Sequence, residues 1–167
     1  MLDDLKAKYR GATTFSFGNG PRMADDILEL VVQGRKTASC GALRDYDGAA
    51  RLPVAGQYFI VKDGRRKPGA VIRVTQVTIN SATEVTEEFA LATGEFSSRE
   101  EWFDDLVAYF GGHEAWTEDT PLVCWRFELV EVLTDRFGMG DLVALTQSGA
   151  PRDPFDFRLS SHSHHRQ

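Results

Sequence analysis

Lys36, Thr37 and Ser39 lie within four residues of one another, directly after a glycine that ends an apolar, helix-like run. A cation and two hydroxyls delivered from a helix end can hold and polarise an oxyanion or a carbonyl oxygen. A lysine partly removed from water can also have a lowered pKa, which suits it to proton transfer. A serine hydroxyl becomes nucleophilic when a base sits beside it. The same residues have plainer roles. Lys36 can satisfy terminal helix carbonyls, Thr37 is a β-favouring strand residue as much as a second donor, and Ser39 reads equally as a strand serine. Strand alternation puts Thr37 and Ser39 on one face, with Ala38 and Cys40 on the other. Joint action of Lys36 and Ser39 then needs a bulge, or a bend of the lysine stem.

Other side chains could serve the same site. Glu95, next to a glycine turn, is either a solvated loop acid or a carboxylate base. Arg73 interrupts an apolar strand; it either pairs with an acid across the sheet or offers a planar fork to a phosphate. Tyr58 and Trp102 could stack on a base, since stacking tolerates any π-face, and Trp102 also fits a place in the core. His113, the only histidine outside the C-terminal tail, is a general acid/base or a surface loop residue. His162, His164 and His165 stand in a polar tail and do not make a preorganised metal site. No metal and no cofactor is expected.

The elements that must position these groups read as follows. Residues 1–10 suggest a short polar helix and residues 13–17 a brief strand. Pro21 suits a first helical position, and Ala24, Ile27, Leu28 and Val31 follow at helical spacing with acids between them. Gly34 is the expected stop. Residues 36–40 read as extended. Residues 57–62 and 70–77 form a strand pair across a loop that opens with Asp63-Gly64. Helices follow around Phe89-Ala90-Leu91, stopped by Gly94, and around Trp102, Phe103, Leu106, Val107 and Phe110. The second of these is preceded by the Ser98-to-Glu101 spacing of a capping box and ended by Gly111-Gly112. Residues 122–132 are a long closing strand, with Trp125 and Phe127 in the core. The pattern decays after Leu133. Residues 1–133 thus read as one domain, and residues 134–167 as a loosely packed or disordered tail.

Composition narrows the function. The chain has 167 residues, 42% of them apolar, with eleven phenylalanines and three tryptophans. This is enough for one domain with a real core. No apolar run is long enough to span a bilayer, and the acidic N-terminus is not a signal peptide. Two distant cysteines give neither a disulfide framework nor a zinc motif and read as reduced thiols. A cytoplasmic protein without a membrane partner is expected. The net charge of −6 argues against gripping long duplex nucleic acid, but leaves room for a short single strand or one nucleoside in a local positive cleft.

The order of these motifs resembles the ASCH superfamily. The matching stretches are Ala24-Asp25-Asp26-Ile27-Leu28, Gly34-Arg35-Lys36-Thr37-Ala38, Leu52-Pro53-Val54-Ala55-Gly56, Val85-Thr86-Glu87-Glu88-Phe89-Ala90 and Leu122-Val123-Cys124-Trp125-Arg126-Phe127, together covering roughly residues 15–133. The resemblance implies an α+β, PUA-like small β-barrel with flanking helices around a cleft. It also implies recognition of RNA or a modified pyrimidine nucleoside, with hydrolysis of the ribonuclease or N4-acetylcytidine amidohydrolase type. The alternative is a non-catalytic nucleotide- or RNA-binding, coactivator-like module. The resemblance maps two functional residues of the amidohydrolases onto Lys36 and Ser39. Their third, a glutamate, falls on Thr93 here, and Gly41 stands where an arginine is common. Glu95 is the carboxylate that could substitute. Thr37, Tyr58, Arg73 and Trp102 would line the cleft around a short single-stranded RNA or a modified nucleoside.

Overall fold

In the computed structural model the helices at residues 2–8, 21–32 and 87–92 end where a cap or a glycine takes over the backbone. The structure describes residues 1–18, 20–46, 52–110 and 116–133. The Gly111-Gly112 stop, His113 and the tail of residues 134–167 with its three histidines lie outside them. The elements in chain order are α1 (Leu2–Lys8), β1 (Thr13–Phe15), α2 (Pro21–Val32), β2 (Ala38–Ala42), β3 (Tyr58–Lys62), β4 (Pro68–Asn80), α3 (Glu87–Ala92), α4 (Arg99–Phe110) and β5 (Leu122–Val132). Short 3-10 turns follow β2 and precede α3.

The five strands form one mixed sheet in the order β1-β3-β4-β5-β2, with β1 parallel to β3 and the remaining neighbours antiparallel. The sheet forms a half-barrel with helices around it, an α+β fold. Register shifts in the long β4–β5 pair, between Val71 and Ile72 and between Val74 and Gln76, are the kind of irregularity that bends a strand and increases its twist. β4 runs three residues past the predicted end at Val77, because Ile79 and Asn80 still find partners in Val123 and Leu122.

Side-chain alternation along β5 builds two cores. Val123, Trp125 and Phe127 face Phe17 and the Ile27, Leu28 and Val31 stripe of α2. Leu122 and Cys124 face Phe89, Trp102, Tyr109 and Phe110 of α3 and α4. A smaller cluster seats Leu5 and Tyr9 of α1 against Ile60 and Val71. The acids of α2 are not all on its water side. Asp26 and Glu29 are buried, and Asp25 accepts a hydrogen bond from the Gly64 N–H at 2.8 Å. A Cβ at Gly64 would lie 2.2 Å from the Pro21 carbonyl oxygen, so the β3–β4 turn and the start of α2 touch through a position only glycine fits.

α1 is held to the last strand by charge as well as packing. Glu131 accepts hydrogen bonds from the Tyr9 hydroxyl and, at 3.1 Å, from Lys8 Nζ. The Tyr9 hydroxyl first, and Lys8 second, hold the Glu131 carboxyl below the usual carboxylate range. A carboxyl depressed in the folded state contributes stability above its unfolded pKa of about 4.3, and that contribution is lost as pH falls through the lower folded value. Tyr9→Phe should therefore destabilise the protein more at pH 7 than at pH 3. Urea midpoints at the two pH values measure the difference; equal losses would remove Glu131 as the cause.

Candidate functional site

The site begins with the way α2 ends. Gly34 adopts φ +76°, the left-handed conformation that glycine takes without a Cβ penalty. The Gly34 N–H donates to the Val31 carbonyl at 3.0 Å and the Arg35 N–H to the Leu30 carbonyl at 2.9 Å. This is the paired bonding of a Schellman stop, and it turns the chain so that Lys36 enters the interior before β2 begins. α3 also ends on a left-handed glycine, with Gly94 at φ +78° and its N–H 3.0 Å from the Leu91 carbonyl. The two helix ends abut. A Cβ on Gly94 would lie 2.5 Å from the Arg35 carbonyl oxygen and 2.9 Å from Lys36 Cα, and the Thr37 N–H donates to the Ala92 carbonyl at 2.8 Å.

Between these ends lies a buried ion pair. Lys36 Nζ is 2.9 Å from Glu95 Oε2, with the two side chains 3% and 4% exposed. The ammonium also donates to the Thr93 carbonyl at 3.1 Å and stands 5.4 Å from the centroid of the Phe17 ring, within cation–π range. Lys36 does satisfy a helix-terminal carbonyl, but that of α3 rather than of its own helix. The Thr93 hydroxyl turns the other way and donates to the Ala90 carbonyl at 2.6 Å, so Thr93 caps α3 and presents only its carbonyl to the lysine.

The pair borders a cleft with a cavity volume of about 50 Å³, lined by Phe17, Ile27, Lys36, Ser39, Cys40, Thr93, Glu95, Phe96, Trp102, Asp105, Leu106 and Tyr109, among others. At roughly 10–15 Å³ per water centre this is room for about three to five waters, and the liquid volume of the smaller number is about that of one six-membered ring. Lys36, Ser39, Glu95 and Trp102 are thus brought to one cleft. Alternation does not separate Lys36 from Ser39, because the strand starts only at Ala38. The Cys40 thiol is pushed up to about 11, by burial above all and against the pull of the nearby Lys36 cation; it is a neutral wall at ordinary pH.

Three residues expected in the cleft stand elsewhere. Thr37 is exposed and uses its backbone to tie the end of α3 to β5, its carbonyl accepting from the Phe127 N–H at 3.0 Å. Tyr58 packs its ring 5.0 Å from that of Tyr9, on the α1 side of the sheet. Arg73, opposite Tyr58 in the β3–β4 ladder, meets Glu128 at 3.5 Å on the surface. The β order explains the displacement: β3 and β4 are separated from β2 by β5. Asp105, Tyr109, Phe17 and Cys40 were not expected in the cleft. A signal existed for two of them, since Asp105 and Tyr109 follow Trp102 at helical spacings of three and seven residues. Among the described residues no group of three or more potential metal ligands occurs, and no helix is long and apolar enough to cross a membrane.

With this geometry in place, comparison with known proteins adds a family context. Residues 13–131 match a family model described as ASCH domain. The crystal structure of protein EF3133 from Enterococcus faecalis V583 is similar, with 32% identity and a TM-score of 0.66 over 80% of this chain and 92% of the other. The ASCH domain from Lactobacillus crispatus JV V101 is 26% identical, with a TM-score of 0.63 over 75% of this chain and 84% of its own. No curated protein matches the sequence.

Proposed function

The chain belongs to the ASCH domain family, and from that premise we propose that its cleft binds an N-acylated pyrimidine nucleoside and hydrolyses the exocyclic amide. The observation that carries this reading is the Lys36–Glu95 pair, 2.9 Å apart and almost wholly buried in a cleft wall. Taking two charges out of water costs several kcal/mol each, and apolar residues of similar size often stabilise a fold as well or better. Charges kept at a cleft therefore favour a role at the site over a role in stability. The cleft has room for about one six-membered ring, so part of the acylated base enters it and the ribose stays outside.

The chemistry follows from the groups present. Glu95 accepts the proton of the attacking hydroxyl, from Ser39 or from water, as a general base. A new C–O bond forms at the acyl carbon, and Lys36 stabilises the negative charge that develops on the carbonyl oxygen. The C–N bond then breaks, and the proton passes to the departing amino group; where Ser39 has attacked, the acyl ester left on its oxygen is hydrolysed in turn by a water that gives its proton to Glu95, which frees the acid and restores the serine. Glu95 supplies the carboxylate that the resemblance places at Thr93, whose own hydroxyl is bonded back to the Ala90 carbonyl. The second reading is binding without catalysis, of a nucleoside or a short single-stranded RNA in the same cleft; the threonine at that position favours it. Incubation of the purified protein with N4-acetylcytidine distinguishes them. Release of cytidine and acetate, reduced at least a hundredfold in kcat/KM by Glu95→Gln, is the expected result. Binding of nucleoside or RNA with no turnover would establish the second reading, and neither binding nor turnover would end both.

A further inference from the structure

Among the described residues β2 is the last strand of the sheet, in the order β1-β3-β4-β5-β2, and none of the other four strands lies along its outer edge. Its register with β5 fixes which backbone groups face that edge. Ser39 lies opposite Trp125, Cys40 opposite Cys124 and Gly41 opposite Val123. Two bonds set the phase. The Phe127 N–H donates to the Thr37 carbonyl at 3.0 Å, and the Leu43 N–H to the Pro121 carbonyl at 3.0 Å, both joining directly opposite residues. In an antiparallel ladder hydrogen-bonded and non-hydrogen-bonded pairs alternate. Ser39 and Gly41 thus turn their N–H and C=O toward β5, as the Thr37 carbonyl and the Leu43 N–H do, and Cys40 turns both of its groups away.

A second observation locates the cleft on that edge. Ser39 and Cys40 are consecutive strand residues, so their side chains leave opposite faces of the sheet, yet both line the same cleft. The lining draws likewise on both cores, with Phe17 and Ile27 from one face and Trp102 and Tyr109 from the other. A single cleft meets residues of both faces by lying against the rim or the end of the strand that divides them, and Ser39 and Cys40 in its lining place it along the first half of β2. It therefore fronts the main chain at Cys40.

We propose that the backbone N–H and C=O of Cys40 form a paired donor and acceptor that reads the edge of the ligand in this cleft. Such a pair takes a planar group with a hydrogen-bond acceptor beside a donor. An N4-acylated cytosine has this pattern at its ring N3 and its amide N–H. The inference deepens the proposed function and rests on it: the side chains of Lys36 and Glu95 act on the acyl group, and the main chain of β2 selects the base.

The test is binding, not turnover. In ¹⁵N-labelled protein titrated with N4-acetylcytidine and with cytidine, the Cys40 amide proton should move downfield and exchange more slowly, while the Ser39 and Gly41 amides, already bonded to β5, keep their protection. Proline lacks the N–H and is tolerated at sheet edges. Cys40→Pro should therefore bind the nucleoside about tenfold more weakly than Cys40→Ala, which retains the N–H. Nucleoside binding with an unaltered Cys40 amide overturns the inference alone, and needs no variant to fold. Absence of any nucleoside binding overturns the proposed function and this inference together.

Discussion

Glu95→Ala should lower the melting temperature by roughly 10 °C, and Lys36→Met combined with Glu95→Leu should recover most of that loss. The single substitution leaves the Lys36 ammonium, 3% exposed, without its carboxylate. Breaking a buried pair from one side costs about 3–5 kcal/mol, whereas replacing both charges by apolar groups of similar volume is often neutral or stabilising. For a chain of this length each kcal/mol corresponds to about 2–4 °C. The Thr93 carbonyl and the Phe17 ring still face Lys36, which places the expected loss toward the lower end. Thermal unfolding of the two variants beside wild type measures it. If the double variant falls as far as the single one, the pair is a structural requirement, and its burial no longer argues for a role in chemistry. Should the double variant be stable yet fail to bind or turn over nucleoside, stability and function at this position are separated.

Gly94→Ala should destabilise the protein far more than Gly34→Ala, although both glycines end helices with nearly the same backbone conformation. Their φ values are +78° and +76°, so the strain of placing an L-residue there, about 1–2 kcal/mol, is common to both. The surroundings differ. Nothing lies within 4 Å of a Cβ built on Gly34, whereas one on Gly94 meets the Arg35 carbonyl oxygen at 2.5 Å, the Arg35 carbonyl carbon at 2.9 Å and Lys36 Cα at 2.9 Å. These are backbone atoms and cannot rotate aside. Overpacking of this kind adds about 1–3 kcal/mol. Urea unfolding of the two variants should show Gly94→Ala losing about twice as much as Gly34→Ala or more. Equal losses would mean that the two helix ends separate without cost. Because the clash pushes on Lys36 itself, Gly94→Ala should also impair nucleoside binding while Gly34→Ala largely spares it.

Local patterns made much of this legible beforehand. The apolar stripe of α2, Pro21 at its start and Gly34 at its end mark the helix within a residue or two, since periodicity and caps are properties of adjacent residues. The ASCH-like order of motifs indicated the barrel-like fold as well. Lys36, Ser39 and Glu95 could be named as candidates, but their meeting could not be derived: Glu95 lies 59 residues beyond Lys36, and no periodicity spans that interval. It depends on two helix ends packing through Gly94. Tyr58 and Arg73 illustrate the converse. Their residue types suit ligand binding, but strand order decides which strand borders the cleft, and in this sheet that strand is β2. Thr37 was placed by alternation that had not begun, because β2 starts one residue later. Asp26 and Glu29 fall between the apolar positions of the α2 stripe, and tertiary packing nevertheless buries both.

The pairing of β2 with β5 also has a consequence for synthesis. Among the described residues, 38–42 pair with one strand, at residues 122–126, and a chain emerging from the ribosome exposes the first set well before the second. A two-stranded contact of such long range cannot be replaced by local structure. Lys36 and Cys40 therefore exist early as residues but come to line one cleft late: on the ribosome, the cleft acquires its wall only when β5 has been translated and has closed onto the first half of the chain.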